Sequence, residues 1–180
     1  MAYVTPGTVA AGDVATAAAW NVITNDVIDN RAVLANVKST TVTNITTSTT
    51  STSFVDITGL SVSITPTSAT SLILVWFSAY FGANAPDLGV LLLRGATVIG
   101  SGSGGSSWNT IGFVGASAYS TPANTMFHIS NNFLDSPATT SATTYKLQYR
   151  GTGGTIYLNR RSGDTAYSAS STITVMEVPV

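Results

Sequence analysis

The chain holds one histidine, His128, in the run "MFHIS", with Ser130 two residues on and Asp135 seven residues on. A Ser-His-Asp arrangement needs a nucleophile, a base and a group that orients the base, held in fixed geometry. In a chain so rich in serine, a serine close to the histidine carries little information. Flanked by apolar neighbours, His128 reads as a strand residue. Glycan hydrolysis would ask for a pair of carboxylates. Asp87, Asp135 and Asp164 fall in turn-prone stretches, no two of them close in sequence, and loop aspartates mostly cap turns. Residues 100–105, "GSGSGG", resemble a phosphate cradle only if a helix N-terminus follows, and no helical pattern does. Calcium would require clustered oxygen ligands of the Asp-x-Asp kind, which are missing. There is no cysteine, which excludes disulfides and thiolate chemistry. The expectation is a protein that is not an enzyme, with no catalytic residues, no metal and no cofactor.

What remains is recognition. Trp108, Phe113 and Tyr119 lie in or beside the Gly/Ser-rich middle of the chain, where a loop tip would offer a flat apolar surface to a sugar. These three are the candidate receptor contacts, against the alternative that they alternate into a core. Arg160 and Arg161, followed by Asp164, sit in an expected turn and suit solubility or an ion pair between subunits.

The composition bears on how such residues are carried. Of 180 residues only 8% are charged, against 44% hydrophobic, and the net charge is -1; a soluble domain usually carries about 25% charged residues. A surface so poor in charge must be wetted by Ser, Thr, Asn and Gly, or covered by copies of itself. The few basic residues are scattered, which excludes a phosphate-binding patch and makes nucleic acid a poor partner. The longest apolar run, residues 72–77, falls far short of the roughly 20 residues a membrane helix needs, so no membrane insertion is expected. The start lacks a basic leader region, so no secretory signal is expected and cytoplasmic synthesis fits.

Three zones follow along the chain. Residues 1–38 hold an N-terminal arm and one helix, for which Asp13 or Thr16 is a candidate cap. Trp20, Ile23, Val27, Asn30, Leu34 and Val37 recur at spacings of three and four, the pattern of a narrow oligomer seam with a polar Asn30 inside it. A lone amphipathic helix packed on its own domain is the alternative. Residues 39–53, "STTVTNITTSTTSTS", are β-branched or small and lack Gly and Pro, so an extended, stiff connector is expected.

Residues 54–180 read as β throughout. "SFVDITGLSVSITP" alternates, with Phe54, Leu60, Val62 and Ile64 as inward candidates. "SLILVWFSAYF" is a continuous apolar run, expected of a strand covered on both faces. Gly95-Ala96 predicts a two-residue hairpin turn. In "TTYKLQYR", Tyr145, Leu147 and Tyr149 share one face, and Lys146, Gln148 and Arg150 the other. Short strands with turn signals every 8–12 residues or so predict an antiparallel β-sandwich or jelly roll.

Two stretches carry a family resemblance. "TPGTVAAGDVATAAAWNVITNDVIDN" resembles the start of small tailed-phage structural proteins, which open with a Pro-containing arm and an Asn/Asp-rich helix. "LLLRGATVIGSG", "FLDSPATTSATTYKLQYR" and "SSTITVMEV" resemble the β heads of phage fibre and virion-surface proteins, often jelly rolls of the tumour-necrosis-factor or C1q type that form trimers. The resemblance implies a homotrimer on the virion surface, joined to other phage structural proteins of capsid or tail through residues 1–38. Capsid decoration or a short head fibre is one implied placement; a tail fibre binding a host surface glycan or protein is the other. Length favours the first: a helix of about 22 residues spans only about 33 Å, short for a shaft that reaches a host.

Overall fold

The computed structural model describes residues 21, 36–85, 87–103, 105, 109–115 and 125–180. These residues are mainly β. They form β1 (Val37–Val42), β2 (Ser48–Thr49), β3 (Val55–Ile64), β4 (Leu72–Ala83), β5 (Asp87–Arg94), β6 (Thr97–Ile99), β7 (Gly112–Gly115), β8 (Phe127–Asp135), β9 (Thr143–Gly151), β10 (Ile156–Leu158) and β11 (Ser171–Val178). All named pairings are antiparallel, and they sort into two sheets.

In the first sheet β4 is the spine. β8 runs along one edge, from Ile73 to Phe81. The other edge is shared by β11, against residues 72–78, and β10, against residues 81–83. β10 and β11 therefore lie on one line, interrupted by an excursion over residues 159–170. β1 and β2 lie on a further line, since β1 pairs with β11 and β2 with β10. In the second sheet β9 lies between β3 and β5, and β6 and β7 share the far edge of β5. Counting each interrupted line as one strand, the order is 1-8-3-6 in the first sheet and 2-7-4-5 in the second.

The core fills the space between the sheets. Ile73, Val75, Phe77, Ala79 and Phe81 project from β4 at 0–1% exposure, opposed by Tyr145, Leu147 and Tyr149 of β9 and Leu88, Val90 and Leu92 of β5. This is the period-2 alternation that packs one sheet face on another. The β9 faces are as the sequence predicts, and the hairpin turn is Gly95-Ala96, with Arg94 opposite Thr97 and Gly95 at φ +58°. In β3 the inward set switches from Ile57 to Leu60, Val62 and Ile64, because the register shifts between Asp56 and Ser61. Phe54 is half-buried beneath the Arg150 guanidinium, 5.4 Å from its ring centroid, and is not among the core residues.

Two expectations change. Val37, placed by its spacing in a helical seam, opens β1 opposite Met176. Residues 39–53 do not stand apart from the head as a connector: they supply most of β1 and all of β2. The head thus begins before residue 54, at the start of β1. The cause is that β-branched threonines suit a paired strand as well as an isolated extended one. Here Ser39 meets the Thr174 hydroxyl at 2.8 Å and Thr41 meets Thr172 at 3.1 Å. Trp20, Ile23, Val27, Asn30 and Leu34 lie outside the described residues.

A buried asparagine holds the two interrupted lines together. Asn159 is 0% exposed and sits at φ +61°, in the left-handed region that asparagine tolerates better than most residues. Its Nδ2 donates to the carbonyls of Val42 (2.7 Å) and Asn44 (3.2 Å), and its Oδ1 accepts from Ser171 Oγ (2.6 Å). Its backbone N–H donates to Tyr80 O at 2.8 Å, and Ser171 Oγ accepts from Tyr80 N at 3.0 Å. Where the excursion leaves the sheet, the backbone groups of Tyr80, Val42 and Asn44 thus keep hydrogen-bond partners.

Candidate interaction surface

The first sheet turns one face to the core and the other outward. Strand register sets the outer face in rows. Leu134, Leu74, Met176 and Val37 form one row; Asn132, Trp76, Thr174 and Ser39 the next; Ser130, Ser78, Thr172 and Thr41 a third; and His128 pairs with Tyr80 beyond them. Leu134 is 51% exposed, Trp76 40% and Val37 39%. The expectation that "SLILVWFSAYF" is covered on both faces holds only on the core side: Leu72 and Leu74 are half-buried and Trp76 is exposed.

No Asp, Glu, Lys or Arg occupies any of these rows. The outer face of the second sheet differs. There Asp56 accepts from Lys146 Nζ at 2.8 Å and from Gln148 Nε2 at 2.7 Å, which together hold its carboxyl below the usual range. Arg150 lies on the same side. In a chain with so few charges, this segregation distinguishes the two faces.

One end of the uncharged face is bounded by the excursion. Gly82 continues the outward row of β4, and a Cβ there would lie 2.2 Å from Arg160 O and 2.7 Å from Arg161 Cα. Only glycine lets the backbone pass so close. On the excursion, the Arg160 guanidinium stacks 3.8 Å from the Tyr157 ring centroid, and that of Arg161 4.3 Å from Tyr167, which is 60% exposed. Arg161 also grips Asp164 through Nε and Nη2, which keeps the Asp164 carboxyl below its ordinary range. The Arg-Arg-Asp group is thus paired within the chain.

The candidate chemistry of the sequence is dispersed. His128 is an exposed strand residue, stacked on Tyr80 at 4.5 Å between centroids, with Nε2 2.8 Å from Ser78 Oγ. Its hydrogen-bonded serine is neither Ser130 nor any residue near it in sequence. Asp135 lies on the opposite face of the same strand, 5% exposed, where it accepts from Arg94 at 2.9 and 3.0 Å and from the Tyr145 hydroxyl at 2.7 Å. Asp87 accepts from Thr152 Oγ1 at 3.0 Å. Each carboxylate has its own partner, and no two converge on a cleft. Residues 100–105 lie between β6 and β7, where Gly102 N donates to Thr110 O at 3.1 Å. Among the described residues no group of three His, Asp or Glu could hold a metal ion, and no helix is long and apolar enough to cross a membrane.

Of the candidate receptor contacts, Phe113 lies in β7 opposite Gly89. Trp108 and Tyr119 lie outside the described residues. The surface that the sequence signals only in part is the outer face of β4. Its signal was the apolar run itself, in which residues of both parities are hydrophobic although only one parity packs into the core. Set against known protein families and against curated proteins, the chain matches none.

Proposed function

We propose that the chain is a non-enzymatic structural protein of a tailed-phage virion, a homotrimer whose N-terminal segment attaches it to the particle and whose β head is displayed on the surface. Capsid decoration or a short head fibre is the favoured placement. The strand order 1-8-3-6 and 2-7-4-5 supports reading the head as a jelly roll, the eight-strand double-sheet arrangement of many capsid domains.

The observation that carries the tethered-head reading is the fixing of Asn36. Its Nδ2 donates to Thr65 O at 2.9 Å and to the Glu177 carboxylate, and its carbonyl accepts from Glu177 N at 3.1 Å. Asn36 is therefore pinned beside β11, where the described head begins. A head whose first residue is fixed gives a preceding segment a defined attachment point, which display on a particle requires. The test is co-sedimentation of the full-length chain with purified particles that lack it. Ile23→Asp with Val27→Asp should abolish co-sedimentation while the circular dichroism of the β head is unchanged. Undiminished attachment of that variant would refute the anchor.

Tyr167 supports a second reading as a tail fibre or receptor-binding tip. An exposed aromatic ring with an arginine over it is a surface on which a host sugar could stack. Glycan-array binding lost in Tyr167→Ala would favour that placement.

A further inference from the structure

We propose that the uncharged outer face of the first sheet is where a second copy of this chain seats; this rests on the oligomeric reading above and names its contact surface. Three observations converge. The first is apolar exposure in register: Leu134, Leu74, Met176 and Val37 cross all four strand lines in one row, with Trp76 beside them. Aromatic residues and methionine are enriched at the cores of interfaces, and Trp76 and Met176 supply both here.

The second is the state of the hydroxyls. Ser39 with Thr174, Thr41 with Thr172, and Ser78 with His128 are already hydrogen-bonded to one another across the strands. A polar group left unpaired is costly to bury, and a paired one much less so. These pairs can go under a partner without needing a matching donor from it.

The third is charge. The face offers no charge to select a partner of opposite sign, and when it lines a threefold axis the same face of each neighbouring copy meets it without like-charge repulsion. Size fits as well. Four strand lines about 4.8 Å apart and some nine residues at about 3.3 Å give a footprint near 500 Å². The accessible area of a corrugated face exceeds its footprint and approaches the roughly 800 Å² per partner of a stable contact.

The absence of cysteine makes a clean test. Ser130→Cys places a single thiol on this face, on the edge strand β8 in the row of Ser78 and Thr172, and Ser63→Cys places one on the exposed side of β3 as the control. In the full-length chain, a bulky maleimide should label Ser130→Cys about tenfold more slowly than Ser63→Cys, the protection expected of a buried contact. Light scattering should give a multi-chain mass for both. Leu134→Asp, at an exposed position, should reduce the mass to one chain and restore fast labelling, with the β circular dichroism intact. A multi-chain mass with equal labelling rates overturns this contact surface and leaves the oligomeric reading standing. A single-chain mass with slow labelling means that the chain's own N-terminal segment covers the face, and a single-chain mass with fast labelling means that nothing does. Both overturn the proposal together with the oligomer. Leu134→Asp with unchanged mass and protection also overturns it.

Discussion

Tyr145 of β9 donates its phenolic proton across the core to Asp135 of β8, at 2.7 Å. Arg94 of β5 holds the same carboxylate from the rim, and both β5 and β9 belong to the opposite sheet. The bond is thus a polar strut between sheets otherwise joined by apolar packing. Burial, and then the bond to Asp135, push the Tyr145 hydroxyl far above the ordinary phenol range; burial pushes Tyr149 up to about 12.

Tyr145→Phe should cost about 1.5–3 kcal/mol in urea unfolding, the range for a hydrogen bond to a charged group. Asp135→Ala should cost about 3 kcal/mol, because it strands a buried hydroxyl and an arginine together. The strut also predicts an alkaline limit. Both phenols keep their protons in the folded state at a pH where the unfolded chain releases them, so the folded state binds more protons. Stability should therefore fall as pH rises beyond the ordinary tyrosine value of 10.0. Tyr145→Phe should make that limb shallower, because only Tyr149 then contributes to it. A limb identical to that of the unsubstituted chain would show that Tyr145 is not its source.

At the acid end the sensitive group is Glu177. Burial alone would raise its pKa, but hydrogen bonds from Ser71, Thr67 and Asn36 outweigh it and hold the carboxyl below its ordinary value. Thr67 contributes both N–H (2.8 Å) and hydroxyl (2.7 Å). With a depressed folded pKa, the contribution is complete above the unfolded value of 4.5 and is lost as pH falls through the lower folded value. Glu177→Gln should flatten the decline of stability below 4.5 and cost about 1 kcal/mol at neutral pH. An acid limb of unchanged slope would contradict this.

Asn159 should tolerate little. Asn159→Ala removes bonds to Val42, Asn44 and Ser171 and leaves a residue poorly suited to φ +61°. A loss of about 3 kcal/mol is expected. Asn159→Gly relieves the backbone but not the bonds, and should recover about 1 kcal/mol of that. Equal losses for the two would show that the backbone conformation costs nothing.

Gly82→Ala should displace the excursion without unfolding the sheets, since its Cβ would meet the backbone of Arg160 and Arg161. The expected result is faster proteolysis after Arg160 or Arg161 with a small change in urea midpoint. An unchanged cleavage pattern would mean that the two segments are not in contact.

How much of this was legible in the sequence varies by element. The β9 alternation could be read directly, because its polar and apolar residues strictly alternate and one face is buried. The Gly95-Ala96 turn was legible because its chemistry is local. The threonine-rich stretch was not, since β propensity says that a segment is extended but not which strand it pairs with. The partners of Ser39 and Thr41 lie more than 130 residues away. Val37 followed a helical spacing by coincidence at the end of the pattern, and pairing with β11 decided its state. Asn159 gave no signal at all, as its value depends on carbonyls that only the fold brings to it. The outer face of β4 was half legible: its apolar residues announced a cover but not what provides it.

Light scattering coupled to size exclusion on the full-length chain decides whether the tethered β head assembles symmetrically. The expected mass is three times that of the 18.5 kDa chain, independent of salt because the proposed contact carries no charge. A mass of one chain at every concentration and ionic strength would contradict it.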